Sequence, residues 1–377
     1  MKIAITGYNG FIGSHLHMNL INKYSYPKEN IILIEKNDFN SSSILSNKFM
    51  DCEMIFHFAG INRHRDLNYL FNENIRLTEK IIKNISIRTK TIIFASSTQQ
   101  DLNNPFGKSK IRSSFIFKEW AIENGLSFIN LKIPNVFGPF GRPNYNSVVS
   151  TFCNNITSNI KSTVNSGNEL SLLYIDDLID FLFNNIIKVS IKEKKMQILE
   201  FSEFPNVGKI TVDKLYKILE KQWSTYKSNT VPNISDKFER NLFNTLRSFI
   251  SYPEYFPRKL LKHIDERGFF SEILRTKGMG QFSISSTETG ITRGNHFHTR
   301  KIERFTVIKG KAQVELRKVG SNKKLKFILN GDNLEFIDIP IWYTHNIKNV
   351  GNELLLTLFW INEPYDSKNS DTYFQPV

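Results

Sequence analysis

The sequence predicts two domains of different class: a doubly wound α/β domain over residues 1–250 and an all-β barrel over residues 251–377. Three observations predict it. Short β-branched runs alternate with amphipathic stretches through the first half, which implies a parallel sheet covered on both faces. Glycines at positions 7, 10 and 13 separate the first such run from the first helical pattern. Beyond residue 251 the period changes to short strands parted by Gly, Asn and Asp, the pattern of a barrel or double sheet.

Taken in order, "KIAIT", "NIILIE", "MIFHFAG", "TIIFASS" and "SFINLKI" read as buried strands. Between them "FIGSHLHMNLINKY" and "NENIRLTEKIIKNIS" carry apolar residues at helical spacing. "VVSTFCNNIT", "IDDLIDFLFNNII" and "VDKLYKILEKQW" read as further helices. From about Thr225 to Lys262 the pattern gives way to Ser, Asn and Pro around one helix, so the junction falls near Ser251. After it come "GQFSISSTE", "ERFTVIKG", "KAQVELRKV", "KLKFIL", "LEFIDIP" and "ELLLTLFWI", each the length of a strand.

Composition excludes several classes. The 377 residues are 40% hydrophobic and 23% charged, as in globular proteins, and suffice for two cores. Two cysteines cannot make a disulfide framework, which fits a reducing, cytoplasmic setting. No signal-like opening and no apolar run of about 18 residues is present, so no membrane span is expected. The net charge of +14 is spread among Asn and Ile rather than gathered beside aromatic platforms. That argues against nucleic acid and suits an anionic small substrate.

In "ITGYNGFIGSHL" the first glycine permits a tight turn, the second a close approach of backbone to pyrophosphate, and the third close helix–strand packing. The helix N-terminus then faces the phosphates, so Gly7, Gly10, Phe11, Ile12 and Gly13 are expected to cradle a dinucleotide. At the end of the second strand, Glu35 suits a ribose 2′-hydroxyl and Lys36 a 2′-phosphate; Lys36 tips the expectation to NADP(H). "HFAG" places Ala59 and Gly60 under the cofactor, with His57 a packed strand residue.

"SSTQQDLNNPFGKSK" then sets Ser97 ahead of Phe106 and Lys110. With "TGYNGFIG", "HFAG" and "NVFGP", these pieces resemble the extended short-chain dehydrogenase/reductase family, a Rossmann-like fold. The resemblance implies that Ser97 orients a substrate carbonyl, Lys110 holds the nicotinamide ribose, and Asn135 and Tyr145 contact substrate. Phe106 stands where that family has a proton-donating Tyr. General acids contribute about 10²–10⁴-fold, so reduction without the phenol is slowed rather than abolished. Ser97, a water or Tyr145 relays the proton, or the domain binds without turnover, or the phenyl ring is a substitution that traps a complex.

In the second half, "GITRGNHFHTRKIERFTVIKG" spaces His296, His298 and Glu303, and His345 follows in "IPIWYTHNIKN". On a strand, His296 and His298 share a face, and Glu303 returns on the neighbouring strand. Three His and one carboxylate suit Zn²⁺ or another divalent metal. The spacing resembles both motifs of the cupin family, with Trp342 where many members have Gly. "DERGFFSEILRT" resembles the opening of sugar-nucleotide 3,5-epimerase cupins, making Arg267 a candidate for a nucleotide diphosphate; a charged turn is the other reading.

Together, from "ITGYNGFIG" through "NPFGKSK" and "RPNYNSVVSTFCNNI" to "DIPIWYTHNI" and "DTYF", the chain resembles the bifunctional capsule-polysaccharide enzymes of the CapF/WbjC type. The resemblance implies a UDP-linked 4-keto-6-deoxy amino sugar, inverted at C3 in the cupin domain. Reduction at C4 with NADPH then gives the L-talose derivative on the N-acetyl-L-fucosamine route. It also implies a cytoplasmic homodimer with zinc in the cupin. Lys301, Tyr343 and His298 are the candidates for acid and base at C3. Two alternatives stand beside this: an epimerase whose reductase domain Phe106 has silenced, and a non-catalytic nucleotide-sugar-binding scaffold.

Overall fold

The computed structural model describes residues 1–165, 167–192, 196–260, 263–265, 268–270, 275–276, 280–363 and 368–377. The chain forms two compact units, Met1–Thr151 with Gly167–Thr211, and Phe152–Ser166 with Val212–Val377.

The chain opens with β1 (Ile3–Thr6), α1 (Phe11–Asn22), β2 (Ile31–Ile34), α2 (Ser42–Phe49), β3 (Met54–His57) and α3 (Leu67–Asn84). It continues through β4 (Thr91–Ser97), α4 (Pro105–Glu123), β5 (Ser127–Ile133), β6 (Asn135–Phe137) and α5 (Val148–Thr157). Then come β7 (Glu169–Tyr174), α6 (Ile175–Phe181), α7 (Lys188–Lys192), β8 (Ile198–Phe201) and β9 (Gly208–Thr211). Six strands pair in parallel in the order β2-β1-β3-β4-β5-β8. The order reverses beside β1, the switch point at which doubly wound sheets bind ligands beyond the strand carboxyl ends. β6, β7 and β9 form a small separate sheet.

Five of the six strands are the β-branched runs of the sequence. The sixth, β8, has the burial pattern of an edge, and its "ILEF" is too short and polar to stand out. The core of this unit gathers Ala4, Ile34, Ile55, Ile92 and Phe94 from the sheet against Leu77 and Ile81 of α3 and Phe117 of α4. Each of the Ile, Leu and Phe side chains contributes about 1.5–3 kcal/mol on burial. Asp66 caps α3, accepting from the amides of Asn68 and Tyr69 at 2.9 and 3.0 Å.

The second unit holds α8 (Val212–Lys227), β10 (Thr230–Val231), α9 (Lys237–Arg247), α10 (Tyr252–Tyr255) and β11 (Arg258–Lys259). β12 (His263–Asp265), β13 (Gly268–Phe270), β14 (Arg275–Thr276), β15 (Gln281–Thr287), β16 (Thr292–Phe297) and β17 (Glu303–Lys309) follow. β18 (Lys311–Lys318), β19 (Lys324–Asn330), β20 (Glu335–Ile339), β21 (Tyr343–Asn349), β22 (Leu355–Ile361) and β23 (Tyr373–Phe374) end it. Two five-stranded sheets, β11-β20-β17-β22-β15 and β19-β18-β21-β16-β23, make a cupin-like β domain.

The units divide away from Ser251, because α8 and α9 group with the β domain. Their inner faces explain it. Tyr226 of α8 donates to the Asp338 carboxylate on β20, and Arg247 of α9 donates to the Ile339 carbonyl at 3.3 Å. Phe256 packs edge-on against Phe336 of the same strand.

Candidate active site and metal centre

In the first unit, β1 runs into Gly7, whose φ of +67° lies in the left-handed region. A Cβ there would stand 2.6 Å from the Ala59 nitrogen, so side chain and backbone conformation both exclude other residues. The turn closes with the Gly10 amide donating to the Gly7 carbonyl at 2.8 Å. A Cβ on Gly13 would collide with the same carbonyl at 2.3 Å, which is how α1 packs so close to β1. The free amides at the start of α1 point where an anion would be held.

A cleft of about 460 Å³ opens here. It is lined by Gly7, Gly10, Phe11, Ile12, Gly13, Gly60, Ser97, Phe106, Lys110, Asn135 and Tyr145. Two sequence candidates stand outside its wall. Ala59 works behind it, donating its amide to Thr6 Oγ1 at 3.1 Å. Lys36 is exposed just past β2, beside Glu35, whose carboxylate accepts from Tyr8 at 3.5 Å. Both halves of the 2′-hydroxyl versus 2′-phosphate question are therefore present at the strand end.

Lys110 sits one turn after Phe106 on α4, buried, with Nζ donating to the Ala95 carbonyl at 2.8 Å and 5.6 Å from the Phe106 ring centre. Burial pulls its ammonium down to about 8. One of its three donors is committed to Ala95, leaving two for a ligand. Ser97 ends β4, and its Oγ accepts from the Gln99 amide at 3.1 Å, which leaves the hydroxyl proton for an acceptor in the cleft. Asn104 caps α4 from the other side, accepting from Gly107 at 2.7 Å with Pro105 in the first turn. His57 is a packed strand residue: Thr6 Oγ1 lies 2.8 Å from Nδ1, and burial, helped by Lys110, depresses it to about 3.

Two contributors escaped the sequence reading. Arg142 lines the cleft with its guanidinium 5.0 Å over the Tyr145 ring. Asn74 of α3 is buried and bonds both the amide and carbonyl of Ile61 and the Ser109 hydroxyl, bracing the turn after β3 against α4. The period of α3 marks Asn74 only as a polar residue on the buried face, and that anomaly is the signal that would have found it.

In the second unit, His296 on β16 is registered opposite His345 on β21, with an irregularity at Asn295. His298 falls just past the end of β16. Glu303 opens β17, a strand of the other sheet rather than the neighbouring strand, so the four residues gather between the two sheets. Their donor atoms all lie within 4.8 Å of one another. His298 Nδ1 donates to the Asp371 carbonyl at 2.6 Å and His345 Nδ1 to the Tyr343 carbonyl at 3.3 Å. Each bond fixes the tautomer that leaves Nε2 with a lone pair.

Those two Nε2 atoms lie 3.2 and 3.0 Å from Glu303 Oε2. All three atoms are buried, and none is aligned for a hydrogen bond. Orphaned buried acceptors converging on one point fit a divalent cation. For Glu303 and His296 the electrostatics agrees, while His298 must give up a proton that the carboxylate favours. Burial opposes ionisation of Glu303, but His298 and His345 hold its carboxyl well below the usual range. Burial, with His345 and His298, depresses His296 to about 4, so it is a neutral ligand at pH 7. For His298 burial pulls down, and the Glu303 carboxylate more than offsets it, raising it.

Of the candidates for acid and base, Lys301 is buried and its ammonium donates to the Ser370 carbonyl at 2.5 Å, the contact of an anchor. Tyr343 stacks on Tyr252 at 6.0 Å, and burial raises its phenol, which keeps it protonated. Arg267 lies outside the described residues. Among the described residues no helix is long and apolar enough to cross a membrane.

Residues 3–193 match the model of the NAD dependent epimerase/dehydratase family, and residues 263–373 that of the Polysaccharide biosynthesis C-terminal domain. A UDP-2-acetamido-2,6-beta-L-arabino-hexul-4-ose reductase of Pseudomonas aeruginosa is 31% identical over 386 residues, covering 99% of this chain and 98% of its own. The crystal structure of the capsular polysaccharide assembling protein CapF from Staphylococcus aureus is 32% identical over 100% of both chains, with a TM-score of 0.59. The spore coat polysaccharide biosynthesis protein SpsL of Bacillus subtilis is 27% identical over 124 residues, 30% of this chain and 82% of its own. With a parallel Rossmann-like sheet, a cupin-like β domain and relatives that match from end to end, this chain belongs to the NAD dependent epimerase/dehydratase family and, within it, to the CapF-type capsular enzymes.

Proposed function

We propose that the chain is a bifunctional UDP-sugar enzyme. Its cupin-like domain inverts C3 of a UDP-2-acetamido-2,6-dideoxy-4-keto-hexose, and its Rossmann-like domain reduces C4 with NADPH to the L-talose derivative. One observation carries the reading: a single chain keeps both a phosphate-loop cleft containing Ser97 and Lys110 and a buried His₃Glu cluster. The similarity to the UDP-2-acetamido-2,6-beta-L-arabino-hexul-4-ose reductase of Pseudomonas aeruginosa supports the substrate class.

The chemistry dictates the order. A proton on C3 is acidic only while C4 is a ketone, because the carbanion left behind delocalises into an enolate. Reduction removes that ketone, so inversion precedes it. His296, His298, Glu303 and His345 would hold Zn²⁺ or another divalent ion, which supplies either charge stabilisation for an enolate or a rigid node in the barrel. Gly7, Gly10 and Gly13 would hold the pyrophosphate of a dinucleotide, which when bound would supply a hydride for C4. Ser97 then orients the carbonyl with its uncommitted proton, Lys110 binds the ribose with its two remaining donors, and Asn135 and Tyr145 face the sugar. Lys36 supports NADP(H) by offering a cation at the second strand end.

Phe106 favours a second reading, an epimerase whose reductase domain binds without turning over, because a phenyl ring and not a phenol stands one turn from Lys110. The test is NADPH oxidation by the purified chain given the 4-keto sugar nucleotide, with C3 hydrogen exchange followed in parallel. Oxidation with exchange supports the bifunctional enzyme. Exchange without oxidation leaves the epimerase, and neither leaves a binding protein.

A further inference from the structure

The last residues of the chain are laced onto all three elements that carry the histidines. β23 pairs antiparallel with β16, setting Phe374 opposite His296. The Gln375 amide donates to the Asn295 carbonyl at 2.8 Å, and Thr344 of β21, next to His345, donates its hydroxyl to the Gln375 carbonyl. The centre of the strap is Asp371, 4% exposed and at a φ of 47°. Its carbonyl accepts from His298 Nδ1 at 2.6 Å. Its carboxylate accepts from Thr299 Oγ1 at 2.6 Å and from the amides of Thr299, Arg300 and Lys301 at 3.2, 2.9 and 3.0 Å.

A buried carboxylate is costly unless its lone pairs are filled, and here four donors fill them. Three are consecutive backbone amides of the turn that joins His298 to Glu303. The Arg300 guanidinium is 3.9 Å away, farther than any of these four donors, so the carboxylate is held chiefly by the turn it organises. One residue therefore sets two quantities at once: the tautomer of His298, through its carbonyl, and the spacing of His298 and Glu303, through its side chain. Outer partners of this kind tune metal affinity.

We propose that Asp371 is a positioning residue of the metal centre, and that the C-terminal strap controls how tightly the four ligands hold a divalent ion. This rests on the reading of His296, His298, Glu303 and His345 as a metal site. The test uses the full chain and Zn²⁺ alone, titrated against a chromophoric chelator, with the thermal midpoint measured with and without zinc. The wild type binds one Zn²⁺. Asp371→Asn sets an N–H₂ against the turn amides and weakens binding by about 10–100-fold, shrinking the midpoint gain that zinc provides. Thr299→Val removes a single bond to the same carboxylate and weakens binding by less, and it decides the matter if Asp371→Asn fails to fold. Wild-type zinc affinity in Thr299→Val and in any folded Asp371→Asn, with midpoints lowered equally in the presence and absence of zinc, overturns the proposal and leaves the strap a scaffold. A wild type that binds no Zn²⁺ overturns the metal reading itself, and the proposal with it.

Discussion

Phe106 differs from a tyrosine by one hydroxyl, and everything around it is in place for that hydroxyl. Asn104 and Pro105 start the helix that carries it, Ser109 bonds back to its carbonyl at 2.7 Å, and Lys110 lies one turn on. Phe106→Tyr is therefore expected to raise kcat for NADPH-linked reduction by about 10²-fold or more with KM little changed, on the scale of a restored general acid. Unchanged turnover in steady-state assays would show that Ser97 or Tyr145 already delivers the proton. Lys110 makes a second prediction, about stability. Its folded value of about 8 lies below its ordinary 10.5, so between those pH values the unfolded chain binds more protons and stability rises with pH. Relative to Lys110→Met, the wild type is expected to gain up to roughly 3 kcal/mol from pH 7 to pH 10.5, at about 1.36 kcal/mol per unit. Urea unfolding of both chains across that range checks it, and a flat difference refutes it. Residues such as these were legible because spacing along one helix or loop defines them. Asn74 and Asp371 were not, because their partners are remote in sequence and no short pattern connects them; Arg142 sits three residues from Tyr145, in a loop with no periodic pattern to single it out.

At the scale of elements, the phosphate loop and the histidine strand could be read directly, since each joins a periodic run to a fixed set of residue types. The assignment of α8 and α9 could not. Their hydrophobic period says that they bury a face but not which sheet covers it, and the Pro- and Asn-containing stretch after α8 looks like a linker. What decides it is a buried network: Arg304 of β17 bonds the Asp338 carboxylate twice, at 2.6 and 2.9 Å, while Tyr226 of α8 donates to the same group. The Arg304 guanidinium also stacks 4.1 Å over Phe336. Breaking a buried ion pair by removing one partner costs about 3–5 kcal/mol, because the remaining charge stays desolvated. Asp338→Asn is expected to destabilise the second unit by that amount, while the double change Arg304→Met with Asp338→Leu costs markedly less. Urea unfolding followed by tryptophan fluorescence checks this, since Trp342 and Trp360 are both buried in that unit. Equal losses in the single and double variants would mean that packing, not charge, is what the network supplies.

For the whole molecule, the proposed function raises the question of how two reactions on one chain would share a substrate. The excess of 50 basic over 36 acidic side chains gives the molecule a field that attracts a nucleotide sugar to either unit, and salt screens it within about 10 Å at 0.1 M. Attraction alone does not order the reactions; the ketone does. Proton exchange at C3 needs no cofactor and is reversible, whereas hydride transfer to C4 ends it. If Phe106 slows only the second step, the inverted ketone accumulates and returns to the epimerising site many times before reduction captures it. In D₂O with NADPH, deuterium is therefore expected at C3 in both recovered substrate and product, with exchange outpacing NADPH oxidation by at least tenfold. Phe106→Tyr accelerates capture and lowers that ratio, while a chelator that strips the His₃Glu site suppresses exchange in the wild type and the variant alike. NMR of the sugar nucleotide alongside absorbance at the NADPH band measures both rates in one tube. A product free of C3 deuterium would show that reduction does not draw on the inverted ketone, and the two sites would then be separate activities carried on a common chain.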